Sequence, residues 1–243
     1  MPRFFVPEAE IGGSFIVLTG ENAAHAKVLR LKNGDEVTVC DGNGTDYRCT
    51  VSDVASGQIS LIVHAASPAE SEAAVSCSIY TAYAKADKFE HVIQKATELG
   101  ASELVCFPSA RCVSRPDEKA LQKKLERWQK IAASAAEQSR RGRIPAVIAL
   151  PSYADALRRA AQADLAVCFY ENETATTFRA AMEAAPFRTA SLLTGPEGGF
   201  EPYEITQAAE AGLRICTLGK RILRCETAPL CALSVLMYAS GEF

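Results

Sequence analysis

The stretch "LTGPEGGFEPYE", residues 193–204, decides the fold class, because an apolar run ends there in glycines and a polar, helix-like segment follows. The adjacent Gly198 and Gly199 permit backbone conformations and close approaches that other residues resist. Such a loop is either a tight strand-to-helix turn or a stretch of bare backbone that contacts a ligand. A second segment of this kind, "LGKRILRCETAP" at residues 218–229, also lies between an apolar run and a predicted helix. The two segments predict an α/β domain with both loops at the carboxyl ends of strands, where ligands bind in open sheets.

Six apolar runs beyond residue 74 predict the strands of a mostly parallel sheet. They span residues 75–83, 103–108, 146–150, 164–170, 189–194 and 213–219. Between the first two, an apolar stripe at helical spacing predicts a helix that Asp87 caps and Gly100 ends. The stripe comprises Phe89, Val92, Ile93, Ala96 and Leu99. A longer helix is predicted over residues 116–141, with a basic loop at its end.

The first 66 residues have a different sequence pattern. Short β-like runs alternate with Gly, Asn and Asp turn signals, which predicts a small antiparallel barrel or sandwich. The stretch "SPAESEAA", residues 67–74, has no periodicity and is interpreted as a linker. We therefore expect two domains, residues 1–70 and 71–243.

Composition narrows the function classes. The chain has 243 residues, of which 48% are hydrophobic and 23% charged, as in ordinary globular proteins. No apolar run is long enough to cross a bilayer, and "MPRFFVPEAE" lacks the apolar core of a secretory signal, so we expect a cytoplasmic protein. Nine scattered cysteines without a C-x-x-C pair predict small buried hydrophobic residues, with no metal and no structural disulfide.

Charge alone gives an ambiguous signal. The net charge of −3 does not favour a nucleic-acid partner. Residues 111–143, however, contain ten Lys or Arg and only four Asp or Glu. This basic segment is either a solvated helix face or an anion-binding patch. Neither glycine loop matches the dinucleotide or P-loop patterns, so those ligands do not follow from the residues.

Four blocks resemble, in order and spacing, the RsmE family of 16S ribosomal RNA uridine-N3 methyltransferases in the SPOUT superfamily. They are "KADKFEHVIQKATELGA", "AAEQSRRGRIP", "LLTGPEGGFEPYE" and "LGKRILRCETAPLCAL". "MPRFFV" and "HAKVLRLKNGDEV" are similar to the N-terminal domain of that family, so the resemblance covers essentially the whole chain. One departure is Cys225, where the family pattern has threonine. N3 methylation needs no covalent adduct, so we interpret this thiol as filling a threonine-sized site.

The resemblance implies an N-terminal PUA-like β-barrel that binds RNA and a C-terminal α/β domain with a deep trefoil knot. It also implies a homodimer that methylates N3 of one uridine in the 16S rRNA of the small ribosomal subunit, with S-adenosylmethionine as methyl donor. The cofactor-binding residues carried over are Leu193, Thr194, Gly195, Pro196, Gly198, Gly199, Leu218, Gly219, Ile222, Leu223 and Ala228.

The reaction requires loss of the N3 proton, which asks for a general base or for stabilisation of the uracil anion. Glu226 is the first candidate base and Glu197 the second, while Arg224 is a candidate for steadying a developing oxyanion or holding a phosphate. Alternatively, Glu226 and Thr227 merely cap the last helix. Candidate RNA contacts, which could also be ordinary surface residues, are Arg3, His25, Lys27, Arg30, Lys32, Arg111, Arg115, Arg140 and Arg143.

Two rival functions stay open. One is a SPOUT methyltransferase that acts on another base or on a ribose 2′-hydroxyl. The other is a non-catalytic RNA-binding factor in ribosome assembly, although intact glycine loops argue against it.

Overall fold

The computed structural model describes residues 1–243, apart from the side chain of Ala86. The chain divides into two compact units, residues 1–72 with 136–144, and residues 73–135 with 145–243. Within the described residues, no helix has the length and apolar character needed to span a membrane.

The first unit is built on a five-stranded sheet in the order β1-β3-β4-β5-β2. The strands are β1 Arg3–Phe5, β2 Phe15–Leu18, β3 Glu36–Cys40, β4 Thr45–Ala55 and β5 Gln58–Pro68. Neighbours are antiparallel except for β1 and β3, and the sheet curls into a PUA-like half-barrel. The β-like runs predicted within the first 66 residues are confirmed as β2, β3, β4 and β5. The predicted linker is wrong at its start, because β5 continues through residues 67 and 68.

Alternation along the strands sets the core of this unit. In β2, Ile16 and Leu18 are buried while Phe15 and Val17 are exposed, as expected for one buried face of a sheet. A short 3-10 helix, Glu8–Glu10, and the helix α1, Gly20–Val28, complete the unit.

Residues 136–144 return to this unit through the carboxylate of Glu72. Glu72 accepts hydrogen bonds from the Arg141 side chain (2.6 Å) and from the backbone N–H groups of Gly142 (2.9 Å) and Arg143 (3.1 Å). The N–H of Gly44 in turn donates to the carbonyl of Gly142 at 3.0 Å. The Glu72–Arg141 ion pair and these backbone hydrogen bonds thus fix the "RRGR" loop within the first unit.

The second unit contains a six-stranded sheet in the order β11-β9-β10-β6-β7-β8, with every neighbouring pair parallel. Its strands are β6 Ser76–Ala82, β7 Glu103–Phe107, β8 Ala146–Ala149, β9 Leu165–Phe169, β10 Thr189–Thr194 and β11 Arg214–Cys216. All six predicted strands and the parallel arrangement are confirmed. The trefoil knot stays a prediction.

Six helices complete the chain after α1. They are α2 Ala86–Glu98, α3 Glu118–Gln138, α4 Tyr153–Ala160, α5 Phe178–Glu183, α6 Pro202–Glu210 and α7 Thr227–Ala239. The stripe predicted for α2 is confirmed for four of its five residues, whereas Leu99 is partly buried at the C-cap. Phe89 packs edge-on against Trp128 with ring centroids 4.8 Å apart. The predicted Asp87 cap is wrong, because Lys85 occupies the N-cap and Asp87 lies in the first turn. The helix predicted to reach residue 141 ends earlier, since Arg140 has a left-handed φ of 61°.

All nine cysteines are free thiols, and seven are buried. This confirms the interpretation as small buried residues for those seven, while Cys112 and Cys231 are partly buried.

Candidate functional site

A cleft of about 510 Å³ lies where three neighbouring strands end. Strands β11, β9 and β10 are adjacent and parallel, so their carboxyl ends share one edge of the sheet. The chain leaves that edge at Phe169, Thr194 and Cys216, and the loops that follow form the walls. The volume lies in the range of small-molecule sites.

The structure brings both predicted loops to this cleft. The lining includes every predicted cofactor residue except Leu193, together with Glu197 and Arg224, whereas Glu226 follows the lining residue Cys225 and does not itself line the cleft. Leu193 points elsewhere, because its side chain is fully buried in the core around β10.

The glycines of the cleft are needed for two different reasons, namely backbone conformation and close packing. Gly199 and Gly219 have φ values of 67° and 105°, which residues with a Cβ rarely adopt. A Cβ at Gly195 would lie 3.3 Å from the backbone of Gly199, so this position allows the loop to fold onto itself. A Cβ at Gly198 would meet Arg111 at 3.1 Å. The first loop is therefore closely packed by protein on one side while its other side lines the cleft.

Arg111 braces this first loop. Its guanidinium donates to both carboxylate oxygens of Glu201, at 2.8 and 2.9 Å, and to the carbonyl of Gly198 at 2.9 Å. Arg115 donates to the carbonyl of Ser109 at 2.6 Å. Both arginines are exposed candidate RNA contacts, and the structure gives them loop-bracing hydrogen bonds, while their contact with RNA stays a prediction.

A buried carboxylate ties the first loop to the loop after β7. Glu204 is 2% exposed and accepts from the backbone N–H groups of Ala110 and Glu201, each at 2.9 Å. The second of these bonds belongs to a capping box that begins α6. The loop after β7 and the start of α6 are thus held together by hydrogen bonds that a buried carboxylate accepts.

Two carboxylates and one ammonium group meet at the edge of the cleft, where Lys88 and Glu197 line it and Glu226 follows the lining residue Cys225. The Nζ of Lys88 lies 3.2 Å from Glu226 Oε2 and 3.7 Å from Glu197 Oε1. Burial by itself would raise the pKa of both carboxyls, but hydrogen bonds and Lys88 outweigh it and lower both pKa values. For Glu197 the strongest of these bonds comes from the backbone N–H of Lys85, at 3.1 Å. Both carboxylates are therefore ionised at neutral pH.

Glu226 occupies the N-cap of α7 but makes no side-chain capping hydrogen bond. The alternative of a purely capping role for Glu226 is therefore not what the geometry favours. The thiol of Cys225 lies 3.2 Å from Glu226 Oε2, and burial raises its pKa to about 12. A thiol that stays protonated at neutral pH is a poor nucleophile, in agreement with the sequence-based interpretation.

Several lining residues were missed from the sequence, and they are Lys88, Phe169, Tyr170, Glu171, Thr217, Lys220 and Arg221. The end of the predicted strand at residue 170 was the available signal for three of them. This signal does not identify a site residue. The position of β9 beside β10 is set by strand pairing and cannot be inferred from the sequence of β9 alone.

The remaining RNA candidates lie in the first unit. Arg3 donates to both carboxylate oxygens of Asp46 and is 11% exposed, so it is a structural residue. The Nδ1 of His25 lies 3.0 Å from Glu137. The other candidates are exposed, and they are Lys27, Arg30, Lys32, Arg140 and Arg143. Among the described side chains, no group of three or more His, Cys, Asp or Glu is placed to hold a metal ion.

Two protein-family profiles match the chain. One, described as an RNA methyltransferase domain, matches residues 71–237. The other, described as an RNA methyltransferase PUA domain, matches residues 18–63.

Curated relatives match over nearly the full chain. The ribosomal RNA small subunit methyltransferase E of Bacillus subtilis is 36% identical, over 98% of this chain and 96% of its own. The protein of the same name from Synechocystis is 34% identical, over 94% of this chain and 74% of its own.

Solved structures of methyltransferases also match the fold of this chain. The ribosomal RNA small subunit methyltransferase E of Neisseria gonorrhoeae bound to S-adenosyl methionine has a TM-score of 0.86 and 29% identity, with 98% of each chain covered. A putative methyltransferase of Legionella pneumophila in complex with the same cofactor has a TM-score of 0.84 and 28% identity, over 98% of this chain and 97% of its own. The chain belongs to the ribosomal RNA small subunit methyltransferase E family, which confirms the resemblance seen in its sequence.

Proposed function

We propose that this protein transfers a methyl group from S-adenosylmethionine to N3 of one uridine in the 16S rRNA of the small ribosomal subunit. The observation that carries the proposal is the cleft at the ends of β9, β10 and β11, in a chain whose full-length relatives include structures bound to this cofactor. In an open parallel sheet this is the place where ligands bind.

The cleft residues suit such a cofactor. Bare backbone at Gly195, Gly199 and Gly219 can hydrogen-bond the neutral polar rings of an adenosine, and Leu218 and Leu223 can supply apolar contacts. When bound, the cofactor supplies an electrophilic methyl group on a sulfonium. We assign the cofactor contacts to the predicted residues that line the cleft, with Leu193 serving the core behind it.

The candidate carboxylates act on the nucleobase. N3 of uracil carries a proton at neutral pH, and this proton must leave before or during attack on the methyl group. Because the pKa of Glu226 is lowered, Glu226 is an ionised hydrogen-bond acceptor for that proton and a weak base. Positioning of two reactants can lower a barrier by about 7–11 kcal/mol, whereas a general base contributes about 10²- to 10⁴-fold. Alignment therefore supplies the larger part of the catalysis.

Cations at the mouth of the cleft suit an RNA substrate. Lys220, Arg221 and Arg224 are exposed and form no ion pair with another described side chain. We assign to Arg224 the developing negative charge on the uracil oxygens or the phosphate of the target nucleotide.

We also propose that residues 1–70 form the RNA-binding domain and residues 71–243 the methyltransferase domain. The exposed cations Lys27, Arg30 and Lys32 support RNA binding by the former. Since the substrate is ribosomal RNA, we place the reaction in the cytoplasm.

A homodimer is the oligomeric state that we propose. Two large apolar side chains of α7, Val235 and Tyr238, are 40% and 74% exposed, and a second copy would cover them. Light scattering of the wild type and of Tyr238→Glu tests this proposal. A wild type that is monomeric at micromolar concentration would contradict it.

The central experiment uses labelled S-adenosylmethionine with either free 16S rRNA or small subunits from a strain that lacks the protein. We expect label in RNA, and mass spectrometry of digests should place it on N3 of a uridine. Label on a 2′-hydroxyl or on another base would favour the rival enzyme. Calorimetry that detects no binding of S-adenosylmethionine would favour the non-catalytic assembly factor.

A further inference from the structure

The first turn of α2 places one ammonium group between the two walls of the cleft. Lys88 is 24% exposed, and its Nζ contacts Glu226 Oε2 at 3.2 Å and Glu197 Oε1 at 3.7 Å. The Sγ of Cys225 lies 3.7 Å from the same nitrogen. Two segments distant in sequence, at Glu197 and at Cys225–Glu226, therefore converge on Lys88.

The two carboxylates differ in which of their oxygens already have a partner. Glu197 Oε1 also accepts the backbone N–H of Lys85 at the start of α2, so this side chain anchors the first loop to the helix. The contacts of Glu226 with Lys88 and Cys225 both involve Oε2, which leaves Oε1 as the oxygen available to a ligand. The N-cap position would normally turn such a side chain toward the helix N–H groups, and Lys88 holds it elsewhere.

We propose that Lys88 is a positioning residue of the methyl-transfer site. Its ammonium group holds Glu226 so that Oε1 faces the N3–H of the target base, and it links the loop after β10 to the start of α7. This inference rests on the proposed function, because it assigns Lys88 a part in the same reaction.

The ionisation of the cluster supports this role. The hydrogen bond to Glu226 raises the pKa of Lys88, and the pKa values of Glu226 and Glu197 are lowered. The other titratable groups facing Glu226 and Glu197 are Lys85 on α2 and Cys225, whose thiol is neutral. Removal of Lys88 therefore leaves two carboxylates without their shared cation, and the pKa of Glu226 should rise.

The test compares Lys88→Met, which removes the charge, with Lys88→Arg, which keeps it. Lys95→Met is the matched control, because Lys95 lies on the same helix and pairs with the nearby Glu98. We expect Lys88→Met to lower kcat on small subunits about 10- to 100-fold and to change the Kd for S-adenosylmethionine less than about threefold. Lys88→Arg should recover most of kcat, and Lys95→Met should behave as the wild type.

The pH profile separates positioning from mere structural support. In the wild type, Glu226 loses its charge only below its usual pKa of about 4.3, so kcat should hold as pH falls from about 7.5 to 5.5. In Lys88→Met this acid limb should move to higher pH, and the ratio of kcat at pH 5.5 to kcat at pH 7.5 should fall.

An unchanged ratio in Lys88→Met, or a loss of kcat that only follows lost cofactor affinity or thermal stability, would overturn the assignment of Lys88. A wild type that binds the cofactor and methylates neither rRNA nor subunits would overturn the proposed function itself. The two failures are therefore distinguishable.

Discussion

Five helices of this chain end with the same pair of hydrogen bonds, and the residue in the left-handed position differs among them. In α2, α6 and α7 it is a glycine, and the three are Gly100, Gly212 and Gly241. In α1 and α3 it is Arg30 and Arg140, with φ values of 57° and 61°. A side chain in this conformation costs about 1–2 kcal/mol relative to the right-handed one, and glycine avoids the cost. Both arginines are exposed and belong to the first unit. A strained backbone at an exposed arginine points to a role for its side chain at the surface.

We therefore expect Arg30→Gly and Arg140→Gly each to raise the free energy of unfolding by about 0.5–1 kcal/mol and to weaken RNA binding. The reciprocal control is Gly212→Arg, because Gly212 has a φ of 94° and open space where a Cβ would lie. It should lose about 1 kcal/mol and bind RNA normally. Urea denaturation and filter binding give the two readouts, and undiminished RNA affinity in both glycine variants would contradict the role of the arginines.

Cys225 is a second residue whose role can be decided. Its thiol is buried beside Glu226 and stays protonated, so it should act only as a filler of space. Cys225→Thr should retain kcat within about threefold, which corresponds to less than about 0.7 kcal/mol in barrier height. Alkylation of the wild-type thiol at neutral pH should be slow. A covalent adduct between the protein and its RNA would show that this expectation is wrong.

At the scale of elements, the start of α6 joins two loops through one side chain. Glu204 is buried and accepts two backbone hydrogen bonds, from Ala110 and Glu201. Its loss would leave two N–H donors without their acceptor, and each such donor costs about 1–3 kcal/mol when buried.

Glu204→Ala should therefore lower the free energy of unfolding by about 3 kcal/mol and weaken the binding of S-adenosylmethionine, since the first cleft loop loses its anchor. Glu210→Ala is the control, because Glu210 lies at the exposed end of the same helix. Chemical denaturation and calorimetry measure the two effects. A Glu204→Ala protein with wild-type stability and cofactor affinity would show that the two loops are held by other contacts.

Elements with a strong apolar pattern were predictable, and their neighbours in the sheet were not. Each strand of the second unit is a short apolar run between turn signals, so all six were found. The helix α1 was missed because it buries only Ala23 and Ala26, which is too weak a pattern. The cap of α2 was misplaced because Asp87 is a good capping residue, whereas Glu197, 112 positions away, satisfies the N–H of Lys85. The place of Lys88 and Glu171 in the cleft could not be predicted for the same reason, since only strand pairing brings them there.

At the scale of the whole molecule, the charge balance does not favour the proposed substrate. The net charge is −3, so the long-range field of the protein does not attract RNA. Binding must then depend on local cations, and the exposed candidates in the first unit are Lys27, Arg30, Lys32, Arg140 and Arg143. Each phosphate that such a cation neutralises releases counterions, and this makes the affinity depend on salt.

If these five cations each contact one phosphate, the logarithm of affinity should fall with the logarithm of salt concentration with a slope of about −3 to −5. Arg143→Gln should reduce the steepness by about 1 and weaken binding to all RNA sequences alike, because a phosphate contact carries no sequence information. The control is Arg158→Gln, since Arg158 is 74% exposed and already paired with Asp155 on α4. It should leave the slope unchanged. Equal slopes for the wild type and Arg143→Gln would remove Arg143 from the RNA surface, and a slope near zero would mean that base stacking, and not charge, holds the RNA.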